Sequence, residues 1–199
     1  MKTKHLVKQT ARVCFNEKGL MNVTLRDVAA QLDKSYGNIT YHYPTKEAVI
    51  TELFDDMNAE LAALQKPPQM DQLLAYFLFL PKVSFDITLK YLFFTIDHNE
   101  IKRNYPDFFA RVKKLNDQRK VKWYGLLKFI YDEGFLRNDL VAEDLNYLMF
   151  LSASVRTMYF QFNEPAHYKK SQYTKSVNLL LKPYLSVKGL EVYRQCLVD

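Results

Sequence analysis

The chain has 199 residues, 48% of them apolar, a net charge of +6 and only five glycines. That composition can bury a sizeable core, no Pro/Ser or Gly run suggests disorder, and the scarcity of turn residues favours helices over many short strands. Cys14 and Cys196 sit near opposite ends without metal spacing and read as small buried hydrophobes of a reducing cytosol, not as a disulfide.

The opening stretch MKTKHLVKQTARVCF is charged throughout, unlike a signal peptide. The longest apolar run, residues 73–80, is far too short to span a bilayer. The expected setting is therefore the cytoplasm, with no membrane as partner. Charge is uneven along the chain. Residues 1–46 hold eight Lys/Arg against three acids, a net +5, and the rest nets +1. A positive field confined to one small segment points to a polyanion, either nucleic acid or an anionic membrane surface.

Leu6, Ala11, Val13, Cys14 and Phe15 predict a first amphipathic helix over residues 3–18, ended by Gly19. Thr24-Leu25-Arg26-Asp27 is a capping box opening a short second helix with Val28, Ala29 and Leu32 on its apolar face. Asp33-Lys34 makes a turn, Ser35 caps a third helix over residues 35–41, and Pro44 stops it. Thr45 caps a fourth helix running to about Gln65, and Lys66-Pro67-Pro68 marks the domain boundary. Further helices are expected near 69–80, 83–98, 105–133, 139–162, 166–184 and 188–197. The fold class is all-α: a helix-turn-helix domain over residues 1–48, a connecting helix over 45–65 and a larger helical domain over 67–199.

A capped helix, a tight turn and a short second helix form a helix-turn-helix, whose second member enters the DNA major groove. Residues 35–41 suit that task. Tyr36, Asn38 and Thr40 can hydrogen-bond base edges, and Asn pairs well with adenine. Lys34 and Ser35 stand at the positive helix end, while Tyr41, His42 and Lys46 lie along one edge, fit for phosphates. Ile39 is the one clear core anchor, and Gly37 permits close approach to DNA or to a partner helix. The competing reading makes Tyr36, Tyr41 and Tyr43 a half-buried aromatic plug, and for Tyr43, just before the proline, that reading is preferred. As a metal ligand or catalytic base His42 lacks a partner His, Cys or acid at useful spacing.

The stretch TLRDVAAQLDKSYGNITYHYPTKEAVI resembles the DNA-binding signature of TetR-family transcriptional regulators. Ala29, Ser35, Gly37, Tyr41-His42-Tyr43 and Lys46-Glu47 fall in register with it, over about residues 5–55. The resemblance implies a homodimer that binds a palindromic double-stranded DNA operator, usually as a repressor. It also implies that Arg26, Tyr36, Asn38 and Thr40 face bases, and that Thr24, Ser35, Tyr41, His42 and Lys46 face phosphates. Three departures stand out: Asp33 where the family has a turn glycine, Lys34 where it has an apolar anchor, and Thr40 in place of a common tyrosine.

Residues 67–199 hold 24 of the 29 aromatics. Each alone reads as bulky core; together they could line an apolar cavity. Regulators of this family commonly hold a small-molecule effector there, so Phe93, Phe94, Phe109, Trp123, Leu127 and Phe150 are the candidate pocket residues, for an apolar or aromatic ligand. Along the 139–162 helix, Val141, Leu145, Leu148, Ser152, Val155, Tyr159 and Phe162 recur in heptad steps, matched by Tyr173, Val177, Leu180 and Tyr184 on the 166–184 helix. That seam is either ordinary core or a dimer interface, for which Leu145, Leu148, Ser152, Val155, Tyr159, Val177, Leu180 and Tyr184 are the candidates. Asp97, His98 and Glu100 read as a solvated helix end. Without a Ser/His/Asp constellation, a Gly-rich phosphate loop or paired cysteines, no catalytic residue, cofactor or metal is expected. The alternatives are a helical small-molecule carrier or enzyme, and a protein that lies on membranes through its basic first helix.

Overall fold

The computed structural model describes residues 2–64 and 72–196. The expected boundary at Lys66-Pro67-Pro68 lies outside them. Regular structure among the described residues is helical: α1 Lys2–Lys18, α2 Leu25–Gln31, α3 Tyr36–His42, α4 Lys46–Leu64, α5 Leu73–Lys90, α6 Phe93–Ile96, α7 His98–Asn104, α8 Pro106–Asp132, α9 Ala142–Phe162, α10 Lys170–Leu179 and α11 Val187–Cys196. Short 3-10 turns cover Pro165–His167 and Lys182–Tyr184, and one isolated antiparallel bridge joins Leu136 to Leu185.

The chain forms two compact units. The first comprises Met1–Ala63 with Ile87–Val112, so it takes in α6, α7 and the start of α8 as well as α1–α4. Aromatic packing explains why. Phe15 of α1 meets Phe93 edge-on at 5.3 Å, and Phe54 of α4 meets Phe94 at 5.6 Å and Phe108 at 5.4 Å. Val7, Ala11, Val28, Ile39, Val49 and Ile50 complete an almost fully buried core. Charges pin α4 to its neighbours: Lys4 and Lys8 of α1 pair with Glu52 and Asp56, Lys90 with Glu60, and Arg111 with Asp55.

The second unit, Leu64–Asp86 with Lys113–Asp199, has its own apolar core of Leu74, Leu78, Leu127, Ile130, Leu136, Leu148 and Leu185. A second aromatic cluster joins Phe85 of α5, Tyr159 and Phe160 of α9 and Tyr173 of α10, with ring centroids 5.2–5.7 Å apart. Gly189 of α11 lies flat against the Phe135 carbonyl, where a Cβ would fall 2.1 Å from the oxygen.

Several boundaries depart from expectation. Pro81 sits inside α5 and does not end it. It removes one backbone donor, yet Leu78, Leu80, Pro81 and Phe85 are all buried, and that packing carries the helix through to Lys90. The expected 83–98 helix instead breaks after Lys90, and the 166–184 helix divides into two 3-10 turns around α10. Most of the heptad seam faces inward: Leu145, Leu148, Tyr159 and Val177 are buried within their own unit and Ser152, Val155, Leu180 and Tyr184 are half-buried, whereas Val141 and Phe162 at the ends of the α9 stripe are exposed. A stripe of this period marks a face that needs cover: here Tyr173 of α10 covers Tyr159, while Leu145 and Leu148 pack in one core with residues of α5 and α8. Cys14 is buried, as expected for a small hydrophobe, whereas Cys196 is exposed.

Candidate nucleic-acid interface and ligand cavity

The first candidate site is built from α2, the turn after it and α3. Thr24 Oγ1 accepts from the Asp27 amide at 3.2 Å, and Asp27 Oδ2 accepts from the Thr24 amide at 2.7 Å, a reciprocal capping box. Hydrogen bonds from the Thr24 hydroxyl and amide hold the Asp27 carboxyl below its usual range. At the far end Lys34 N donates to Ala29 O at 3.0 Å and Asp33 N to Ala30 O at 3.2 Å, the two bonds of a Schellman motif. Asp33 occupies its left-handed position with φ 51°, which Asp tolerates better than most side chains. The turn therefore keeps its geometry without glycine.

Ser35 caps α3, its Oγ accepting from the Asn38 amide at 3.2 Å. Ile39 is the single buried residue of α3. Just beyond it Tyr43, also buried, donates its hydroxyl to Glu52 at 2.8 Å. Everything else on α3 is exposed or half-exposed: Tyr36, Gly37, Asn38, Thr40, Tyr41 and His42. Tyr41, 84% exposed, meets the His42 ring edge-on, and the Arg26 guanidinium lies 5.1 Å over the Tyr36 ring, so α2 and α3 present one continuous polar surface.

Two of the expected contact residues behave differently. Thr40 donates its hydroxyl back to Tyr36 O at 3.1 Å, so its proton is committed to its own helix. Lys46 turns inward: its ammonium donates to the Leu20 carbonyl and lies over the Phe15 ring, and burial pushes its pKa down. A long apolar stem makes that burial tolerable, and sequence alone does not say which way such a side chain turns. Asp97, expected at a solvated helix end, has a different place. It is half-buried and accepts from the Leu20 amide at 2.7 Å, tying the start of α7 to the loop after α1; burial pushes its carboxyl up. It is not a solvated helix end. Among the described residues no group of three or more His, Cys, Asp or Glu is placed to hold a metal ion.

The second candidate site is a cavity of about 770 Å³ in the second unit. Phe77 and Leu80 of α5, Trp123 and Leu127 of α8, Leu148 and Met149 of α9 and Leu181 form its apolar wall. Lys120, Asn146, Ser152, Arg156, Thr157 and Asn178 supply polar groups. Asn178 is buried and anchored by donating to the Leu78 carbonyl at 2.8 Å. Of the candidate pocket residues, Trp123, Leu127 and Phe150 line this cavity. Phe93, Phe94 and Phe109 do not: they belong to the first unit, the first two packed in its core and Phe109 beside His98 at 5.3 Å.

Residues 9–53 match the family model of the bacterial regulatory proteins of the tetR family. In sequence, the likeness to that family is confined to this segment, 45 of the 199 residues. The matched residues span most of α1 through the first turns of α4, the segment that presents α3. The whole fold is shared with solved structures. A TetR-family transcriptional regulator from Marinobacter aquaeolei is similar with a TM-score of 0.82 at 21% identity, covering 98% of each chain. The ketosteroid transcriptional regulator KstR2 of Mycobacterium tuberculosis gives 0.71 at 16% identity, over 92% of this chain and 95% of its own. A gamma-butyrolactone receptor described as ArpA-like gives 0.63 at 12% identity, over 100% and 98%. No curated protein matches the sequence.

Proposed function

We propose that this protein is a TetR-type regulator: a cytoplasmic, homodimeric repressor that binds a palindromic operator through α3 and is released by a small apolar or aromatic effector. The observation that carries the DNA reading is the asymmetry of α3: Ile39 alone is buried, while Tyr36, Asn38 and Tyr41 stand outward beside Arg26. These groups suit base edges and phosphates, and Gly37 leaves open space around its Cα for a groove wall. Two such helices related by a dyad would read half-sites one DNA turn, ~34 Å, apart.

The dimer reading rests on α9. With Leu145, Leu148 and Tyr159 buried, the residues left open are Tyr147, Phe150, Met158 and, at the end of the seam, Phe162, all large and exposed, with the small Ser154 between them. A second copy of the same face is the occupant that a palindromic operator requires. The effector reading rests on the cavity, whose volume lies within the range of drug-sized sites. That a similar structure is named as a gamma-butyrolactone receptor supports a small-molecule ligand here. Helix α8 runs in sequence from the first unit into the second. It carries Trp123 and Leu127 at the cavity, while its first turns place Phe108 and Arg111 against Phe54 and Asp55 of α4, the helix that follows α3. A ligand that prefers one setting of α8 would shift the populations of α4 by that preference and no more.

Mobility shift against the DNA upstream of its own gene is the test. Sequence-selective binding that weakens steeply with salt is expected, with a symmetric footprint. Binding that ignores sequence would leave the chain as a helical small-molecule-binding protein without an operator.

A further inference from the structure

The cavity of the second unit has an unusual charge balance. Two cations, Lys120 and Arg156, line it, and no acid does among the described residues. Their settings differ. Lys120 is largely exposed and sits 3.7 Å from Asp117 on its own helix, as at a solvated mouth. Arg156 is half-buried, and its partners are neutral: Nε lies 3.4 Å from Ser152 Oγ, and the guanidinium hydrogen-bonds the Tyr173 hydroxyl. Tyr173 is itself fixed, 2% exposed and packed against Phe85 and Phe160. A half-buried guanidinium held in orientation by two hydroxyls, with five N–H donors and no carboxylate beside it, is built to receive an oxyanion. An arginine kept only for structure would more commonly meet an acid of its own chain.

We propose that the cavity takes an amphipathic carboxylic acid, its carboxylate paired with Arg156 and its aliphatic or aromatic tail lying between Phe77, Trp123 and Leu127. This deepens the effector reading above and rests on it only for the consequence at DNA. The arrangement also disfavours cationic ligands, since both charged lining groups are positive.

Trp123 is the only tryptophan and lines the cavity, so its emission reports occupancy directly. Two pairs of probes differ only in the head group: decanoate against decan-1-ol, and 4-phenylbutyrate against 4-phenylbutan-1-ol. For at least one pair, the acid is expected to bind roughly ten- to hundredfold more tightly than its alcohol, the span of a charge-assisted hydrogen bond. Arg156→Gln removes that preference and leaves the alcohol's affinity in place, which also shows that the variant keeps its fold. Arg156→Lys retains part of it, and Lys120→Gln changes it little. Alcohols that bind as well as acids, a preference that survives Arg156→Gln, or Trp123 emission that none of the four probes changes would each overturn the assignment. A mobility shift with the same acids separates the two readings. Acid binding that leaves DNA binding untouched sinks the effector role and keeps the site. DNA binding that persists while the acid preference is absent sinks the site alone.

Discussion

The two units use similar side chains to opposite ends. In the first, rings pack edge-on against one another: Phe15 on Phe93, Phe54 on Phe94 and Phe108. In the second, Phe77, Trp123 and Phe150 stand around about 770 Å³ of empty space. The difference follows from what each unit holds up. Helices α2 and α3 have seven residues each, too short to persist on propensity alone, so close packing beneath them is what fixes α3. Helices α8 and α9, at 27 and 21 residues, keep their form over a gap and can adapt to what fills it. On the function proposed above, a rigid reader and an accommodating receptor would be the two halves of a switch.

The sharpest way to break that comparison is to ask whether the second unit is loose throughout or only at the cavity. Gly189→Ala answers it. The added methyl would meet the Phe135 carbonyl, whose oxygen already accepts from Ser186 N at 3.0 Å beside the Leu136–Leu185 bridge. Backbone on both sides leaves little room to yield, so a loss of about 3 kcal/mol is expected, read as a thermal midpoint lower by several degrees. An unchanged melt followed through Trp123 would mean that softness extends well beyond the cavity.

The next effect is on DNA and belongs to the first unit. Asn38→Ala and Tyr36→Ala remove exposed groups, so each should weaken operator binding by about 1–3 kcal/mol while leaving the thermal midpoint nearly unchanged. Lys46→Ala should do the reverse. Its ammonium is engaged with the Leu20 carbonyl, so the loss appears in stability and the salt slope of binding stays the same. Footprint affinities and melts on the three variants decide the point. A salt slope lowered by Lys46→Ala would put that side chain back on a phosphate.

These contrasts also mark where the sequence was readable. Thr24 with Asp27, the Asp33 turn and the Ser35 cap lie within a few residues of what they bond, and local signals place α2 and α3 to within a residue. The cavity is another matter. Whether an aromatic lines a void or fills a core depends on helices distant in the chain, so nothing near Phe93 distinguishes it from Trp123. The α9 heptad is ambiguous in the same way: its spacing says that Leu145, Leu148 and Tyr159 need cover, and only the fold says that α5 and α8 cover the first two and α10 the third. Arg156 carried no signal either, because what sets it apart is that no acid lines the cavity with it among the described residues.

Gly37→Ala separates folding from reading within a single residue. A Cβ at this position meets nothing within 4 Å in the free protein. Alanine should therefore raise stability by up to about 1 kcal/mol through helix propensity. If α3 approaches a groove wall, the same methyl costs binding, and the variant melts higher but shifts DNA less. A variant that is more stable and binds as before would show that this face of α3 stays clear of DNA.

The smallest expected effect concerns acid. Burial would raise the carboxyls of Glu52 and Glu60, but hydrogen bonds from Lys4 and Tyr43 to the first, and from Lys90 and Tyr91 to the second, outweigh it and leave both below the ordinary 4.5. A carboxyl held below its unfolded value stabilises the fold at pH above that value, and the contribution fades as pH falls through the lowered one. The first unit should therefore lose stability below about pH 4.5. The loss is a few tenths of a kcal/mol per pair, since both carboxylates are about one-third exposed and well screened. Most ion pairs of the second unit lie within a few residues on one segment, such as Lys128–Asp132 and Arg137–Asp139, so its melt should respond less. Glu52→Gln with Glu60→Gln should flatten the acid slope of the first unit and leave that of the second unchanged. Melts at pH 7 and pH 3.5, followed by Trp123 emission for the second unit and by amide exchange along α4 for the first, distinguish the two. Equal acid slopes in both units would mean that charge does not pin α4, and that the rigidity beneath α3 comes from the aromatic core alone.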